Sequence, residues 1–279
     1  MTGATRRRRS IALLLALLAA PAAADSFREE FEQPGGGPLG STRFSELVLS
    51  INGGVSRGPT DPGQGAPSTG GVLPVDEGGD LEVRFYEVMP AAGTSYTLTP
   101  EATFVDVEID GYVGIGFTDA FGSRSAALLI RATPSPLNAY GVILRHLLPG
   151  DAATLGLVRI TDNVISDFAT SDPFPAAPAG ENYRLVLRAI GDTLTAGVLR
   201  VEAVGGERVE TPIDLDTVTA GVQSELTATD SALTAGALGM RVFTRSTNSV
   251  FLDDVTVVDL VFLDGFESGT TSGWSSSVP

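Results

Sequence analysis

Cysteine and lysine are both absent from the 279 residues, histidine occurs once as His146, and tryptophan once as Trp274. Without thiols there are no disulfides and no thiolate metal sites, so an apolar core must supply the stability. One histidine without cysteine cannot furnish the usual tetrahedral zinc ligand set. A Ser-His-Asp arrangement would depend on His146 alone, and between Arg145 and Leu147 in a strand-like run a structural role is the expected one. Positive charge is scarce as well. Eighteen arginines face 34 acidic residues, and after Arg9 the arginines are scattered singly. Phosphate backbones and anionic lipid select clustered cations, so no nucleic-acid partner is expected and docking on an anionic membrane is disfavoured.

Long apolar runs are also missing apart from Ile11 to Leu18, which is too short to cross a bilayer of about 30 Å of hydrocarbon. That run follows Arg6 to Arg9 and precedes Pro21 and Ala22-Ala23-Ala24, the layout of an export signal. Cleavage after Ala24 would leave a chain starting at Asp25, with 14 arginines against 34 acids and a net charge of −20. The expectation is therefore an exported protein, extracellular, surface-held or periplasmic, with no transmembrane helix in its mature chain.

Sustained helical periodicity is absent too; alternation with period two dominates. In Phe104 to Asp110 the apolar residues Val105, Val107 and Ile109 share one face and the carboxylates the other, as a half-buried strand requires. Strands are also read over 81–88, 112–118, 126–132, 140–147, 183–190, 194–204, 237–244 and 249–258. Asp110-Gly111, Gly191-Asp192 and Gly205-Gly206 each supply two turn residues suited to positive φ, predicting hairpins and a three-strand meander over 183–211. Only Asp151 to Leu155 and Asp214 to Val218 carry short helical signals. The organisation expected is a signal over 1–24, one antiparallel β domain over 25–263 and a polar tail over 264–279. Within the domain, Gly- and Pro-rich residues 52–80 read as one long loop.

The closing segment, Gly236-Ala237-Leu238-Gly239-Met240-Arg241-Val242-Phe243 and then Ser249 to Val257 with its Asp253-Asp254-Val255, resembles the ending of concanavalin A-like sandwiches. That is the lectin, glucanase and laminin-G group of secreted bacterial proteins. Tyr183 to Leu187 with Gly191 to Ala196 is similar to their central strand pair. The resemblance spans about Asp25 to Leu260 and implies a two-sheet antiparallel jelly-roll sandwich; its motifs specify fold better than activity. Asp264-Gly265-Phe266-Glu267-Ser268-Gly269 resembles a short C-terminal motif recurring on exported bacterial proteins.

Glu108-Ile109-Asp110 matches the first half of the sandwich-glucanase signature, in which alternate carboxylates of one strand divide nucleophile and acid/base roles. Position 113 is valine, so the second glutamate is missing, and a solvated strand face is the plainer reading. Asp106 to Gly111 also mimics the start of an EF-hand loop, but the twelfth residue is Phe117 instead of a bidentate glutamate. The resemblance implies a structural Ca²⁺ held by Asp253 or Asp254 on the last strand with Glu30 and Glu32 from the first, hard oxygen ligands suited to that ion. Sugar stacking needs aromatic faces, for which Tyr86, Tyr96, Tyr112 and Tyr140 are the candidates, against the commoner role of strand aromatics as core. The sequence leaves catalysis open and leans against it. The leading expectation is an exported, non-catalytic carbohydrate-binding or adhesion module taking a polysaccharide or cell-surface glycan at a bacterial exterior. A glycan hydrolase of the same fold and a purely structural surface protein are the competing classes.

Overall fold

The computed structural model describes residues 27–29, 44–50, 55–59, 81–85, 92–98, 103–115, 124–134, 136–147, 152–176, 182–204, 207–219, 221–244 and 249–260. The strands in chain order begin with β1 (Phe27–Glu29), β2 (Phe44–Ser50), β3 (Val55–Pro59), β4 (Leu81–Phe85), β5 (Ala92–Leu98) and β6 (Val107–Ile115). Next come β7 (Arg124–Pro134), β8 (Leu137–Leu147), β9 (Ala152–Thr161), β10 (Val164–Thr170), β11 (Phe174–Pro175) and β12 (Asn182–Ile190). The chain closes with β13 (Thr193–Val204), β14 (Glu207–Pro212), β15 (Glu225–Thr229), β16 (Ala237–Thr244) and β17 (Ser249–Asp259). No α-helix occurs among the described residues, and none of their helices is long and apolar enough to cross a membrane, a statement that does not bear on β-barrels. The signal at 1–24, the residues 60–80 of the expected loop and the tail at 264–279 lie outside the described residues.

Two antiparallel sheets face each other. The front sheet runs β14-β13-β12-β6-β17-β4-β3, with β1 alongside β17 and β15 alongside β13; the back sheet runs β10-β9-β8-β7-β16-β5-β2, with β11 on β9. The all-β sandwich expected from the sequence is the fold the chain adopts. Its core is one continuous apolar layer between the sheets. Val107, Ile109 and Val113 of β6 and Leu185, Leu187 and Ala189 of β12 meet Leu128 and Ile130 of β7, Val142 and Leu144 of β8 and Leu155 and Leu157 of β9. These side chains are 0% exposed, and burial of each Val, Leu or Ile contributes about 1.5–3 kcal/mol.

Four local expectations are corrected. Asp110-Gly111 is not a hairpin turn. β6 continues straight through it, paired on one side with β12 (Asp110 opposite Val186) and on the other with β17 (Asp110 opposite Thr256). The alternation Val107, Ile109, Gly111, Val113 keeps its phase across the dipeptide, and a turn would break two ladders at once. Of the expected helix over 151–155, Asp151 lies outside the described residues and Ala152 to Leu155 are not helical but open β9. That strand is buried on both faces, with Leu155 and Leu157 in the main core and Val158 and Ile160 in a second apolar cluster on the outside of the back sheet. Burial on both faces erases the alternation by which a strand is recognised. Asp214 to Val218 is an irregular turn, and Val55–Pro59, inside the expected loop, pairs with β4 as β3. The Gly191-Asp192 hairpin does form, with Gly191 at φ 54°. A further hairpin joins β9 to β10 through Asp162 and Asn163 at φ 51° and 68°, the double positive φ of a type I′ turn.

Two buried polar groups pin the ends of the layers. Arg131, 1% exposed and at φ 50° in a bulge of β7, donates to the carbonyls of Val105, Leu233 and Gly191 at 2.9, 3.0 and 2.7 Å. Tyr140, 0% exposed, donates its hydroxyl to Asp230 Oδ1 at 2.6 Å and accepts from the Leu233 N–H at 2.9 Å. Asp230 Oδ2 meets Arg159 at 2.9 Å. Burial, then the bond to Asp230, raises the Tyr140 hydroxyl above its ordinary value of 10.0. Burial alone would raise the Asp230 carboxyl, but the bonds from Tyr140, the Ala232 N–H and Arg159 outweigh it and hold the group below 3.8.

Linkage gives the signs. Asp230 adds stability that is present above 3.8 and lost as pH falls through its lowered native value; Tyr140 adds stability that is present below 10.0 and lost as pH rises through its raised one. A plot of Tm against pH is expected to fall at both ends. Tyr140→Phe should remove the tyrosine contribution to the alkaline limb and cost about 1–3 kcal/mol by leaving the Leu233 N–H and Asp230 short of a partner. A variant with an unchanged alkaline limb contradicts this assignment.

Candidate functional site

The outer face of the front sheet collects the polar residues of its central strands. Period two puts Glu108, Asp110 and Tyr112 of β6 on that face, and the β6–β12 register sets Arg188 opposite Glu108 and Arg184 opposite Tyr112. Asp110 is not on a solvated face as the sequence suggested: it is 4% exposed. The Arg184 Nε contacts its Oδ1 at 3.0 Å, and Arg184 Nη1 contacts Glu210 Oε2 at 3.0 Å. Tyr112 donates its hydroxyl to Glu210 Oε1, and the Arg184 guanidinium lies 5.9 Å from the centre of the Tyr112 ring. Burial works against the Arg184 charge, yet hydrogen bonds and attraction from Asp110 and then Glu210 outweigh it and raise its pKa. Glu108 faces Arg188 more loosely, at 3.9 Å.

Beyond this network the face opens into a depression of about 210 Å³. It exists because the neighbour of β13 is split in two: β14 pairs with Leu199 to Val204 and β15 with Thr193 to Gly197. The chain leaves the sheet between them. Pro212 stands on one side of the gap and Ser224 and Glu225 on the other, Gly197 forms the floor, and Glu108, Arg188 and Thr195 complete the wall. A Cβ on Gly197 would come 3.3 Å from the Ser224 carbonyl oxygen.

The connecting residues 213–224 are held by aspartates. Asp214 Oδ1 accepts from the N–H groups of Asp216 at 3.3 Å and Gln223 at 3.0 Å. Asp172 Oδ2 accepts from the Thr217 N–H at 3.0 Å and hydroxyl at 2.7 Å. Asp216 accepts from the Thr219 hydroxyl and from the N–H groups of Val218 and Thr219, and these bonds hold its carboxyl below the ordinary range. The helical signal at 214–218 thus belongs to side chains that satisfy turn N–H groups, the usual use of Asp outside helices. A second cavity, about 320 Å³, opens at the sandwich edge between β11 and β14 beside Phe174, Arg200 and Ile213.

Of the residues expected at a site, Glu108 lines the depression, while Asp110 and Tyr112 are tied into the Arg184 network beside it. Val113, where the glucanase signature has its second glutamate, is 0% exposed in the core. Tyr140 is a core residue and offers no face to a sugar. Tyr86 lies outside the described residues, and of Tyr96 only the backbone is described, opposite Met240. His146 is 3% exposed inside the sandwich. The string Gly54-Val55-Ser56-Arg57-Gly58 spells the Gly-x-Ser-x-Gly of a nucleophile elbow, but Val55 to Gly58 sit in extended β3 with Ser56 opposite Arg84. The strand-to-helix turn that exposes such a serine is not formed there.

For the expected calcium ligands, β1 runs beside β17 with Glu29 opposite Val255. Asp254 is 4% exposed at φ 49° in a bulge of β17. Glu30 and Glu32 lie outside the described residues, as does the side chain of Asp253. Among the described residues no group of three or more His, Cys, Asp or Glu is placed to hold a metal ion. Arg188, Thr195, Gly197 and Glu225 were not anticipated as site residues. Only the β12–β13–β15 register brings them together, and no local string marks it.

No protein-family profile matches the chain, and no curated protein matches its sequence. Solved structures are similar to it at low identity. The carbohydrate-binding module CBM66 from Bacillus subtilis is 15% identical over 76% of this chain and 99% of its own, with a TM-score of 0.43. A prokaryotic β-1,3-1,4-glucanase (lichenase) derived from a mouse hindgut metagenome is 12% identical over 84% and 99%, with a TM-score of 0.46. The exoplasmic/lumenal domain of VIP36, in its Ca²⁺/Man3GlcNAc-bound form, is 10% identical over 84% and 90%, with a TM-score of 0.46.

Proposed function

We propose that this protein is an exported β-sandwich that binds carbohydrate without cleaving it, acting as a binding or adhesion module at a bacterial surface. The observation that carries the reading is the depression on the front sheet. It is open, fixed by paired strands and an aspartate-braced turn, and walled by Glu108, Arg188, Thr195 and Glu225. Convergent carboxylate, guanidinium and hydroxyl groups on a rigid sheet supply the directional donors and acceptors that sugar hydroxyls need. Against cleavage stands the commitment of Asp110 to Arg184, because a retaining glycosidase needs two available carboxyl groups about 5–5.5 Å apart. A structural Ca²⁺ at Asp253 or Asp254 with Glu30 and Glu32 belongs to the same proposal, supported by the burial of Asp254 beside the incoming first strand.

Thermal unfolding of the purified protein with soluble polysaccharides, with calcium and with chelator tests all of this together. A ligand that binds only the folded state raises stability by RT ln(1 + [L]/Kd), about 2.7 kcal/mol at a hundredfold excess over Kd. A glycan-dependent rise in Tm that Arg188→Ala weakens is the expected result. No shift with any glycan favours a purely structural surface protein, release of reducing ends favours the hydrolase, and a Tm indifferent to chelator removes the ion.

A further inference from the structure

We infer that the depression selects glycans carrying free amino groups over neutral or acidic ones, an inference that rests on its being a glycan site. The reason is an unbalanced charge. Arg184 is shared by Asp110 and Glu210, and Arg188 faces Glu108. The Glu225 carboxylate, exposed on the opposite wall, has no hydrogen-bond or ion-pair partner among the described residues. Two carboxylates and one guanidinium therefore border the space, and the spare charge is negative.

The register explains why Arg188 does not neutralise Glu225. Arg188 lies opposite Thr195, whereas Glu225 lies opposite Gly197, one strand further out and two residues along. With neighbouring strands about 4.8 Å apart, the two backbones stand about 10 Å from each other, and the glycine between them contributes no side chain. An ammonium group of a bound sugar can occupy the space over Gly197, near Glu225, while Arg188 and Thr195 take ring hydroxyls. An N-acetyl group at the same position has no charge to offer, and a uronic carboxylate would meet Glu225 as a like charge. The net charge of −16 adds attraction for cationic polymers at long range and repels polyuronates.

Isothermal titration of the full chain with oligosaccharides of β-linked glucosamine, their N-acetylated counterparts and oligogalacturonate, at mildly acidic pH, decides the matter. The expected result is a preference of about tenfold or more for the free amine over the acetylated sugar, with no detectable uronate binding and a preference that shrinks as salt is raised. Glu225→Gln should bring the amine-to-acetyl ratio down to about one. Equal affinity for free and acetylated sugars overturns this inference and leaves the glycan reading standing; no binding of any glycan overturns that reading itself. A lysine-rich peptide that displaces the amino sugar at equal concentration overturns the glycan as the selected class.

Discussion

Arg131→Ala is expected to destabilise the protein by about 3–5 kcal/mol and to lower Tm on the order of 10 °C, the largest effect of any single substitution considered. The guanidinium is buried and ties three parts of the molecule: Val105 at the entrance to β6, Gly191 in the β12–β13 hairpin and Leu233 before β16. Asp106 joins the same cluster, accepting from the Gly191 N–H at 2.8 Å. Truncation leaves three part-buried carbonyls without the donor that spans them, a cost that the lost Coulomb attraction to Asp106, at 3.5 Å, only increases. The main chain at this point is also tightly packed, since a Cβ on Gly236 would be 2.5 Å from the Arg131 carbonyl carbon. Arg131→Lys should recover part of the loss, since an ammonium reaches fewer of the three acceptors than a planar fork does. Chemical denaturation of the three proteins checks the order; a Tm for the alanine variant within about 2 °C of wild type would sink the assignment.

The second large effect is expected at Arg184. Its removal strands Asp110, whose side chain is 6% exposed, and takes one ion-pair partner from Glu210. Because the guanidinium itself is one-third exposed, the cost is set below that of a fully buried pair, at about 2–3 kcal/mol. Asp110→Asn in the same chain should restore a large part of it by removing the stranded charge. The double-mutant cycle is therefore predicted to show coupling of at least about 1 kcal/mol. A structural Asp110 gives that coupling. An Asp110 that is free to act on substrate gives additive effects, and additivity would reopen the hydrolase reading.

How far the sequence could be read depends on whether a residue's environment is local. The strand Ala237–Thr244 and the hairpin at Gly191-Asp192 were legible because alternation and turn chemistry lie within a few neighbouring residues. β9 was not, since burial on both of its faces leaves no period, and its Ala and Leu content carries a helical preference that tertiary packing overrides. Asp110-Gly111 misled for the opposite reason: the dipeptide has turn chemistry, but two flanking strands hold it extended. At the site, Glu108 was visible as one of alternating carboxylates. What Asp110 does was not visible, because its partner Arg184 is 74 residues away. The depression was likewise invisible, because it comes from the split between β14 and β15 against β13 and from a glycine floor, neither of which has a sequence signature.

The most direct test of the central claim is to fill the depression from its floor and titrate with glycan. Gly197→Leu introduces a side chain where only a hydrogen now faces Thr195, Pro212 and Glu225, and the 3.3 Å approach to the Ser224 carbonyl oxygen requires a shift of a few tenths of an ångström. Calorimetric titration of wild type and variant side by side, with unfolding curves confirming that both are folded, is predicted to show saturable glycan binding in the wild type and at least a tenfold loss of affinity in the variant. Equal affinity in the two folded proteins would mean that sugar, if bound at all, binds elsewhere, and the assignment of the front-sheet depression would be wrong.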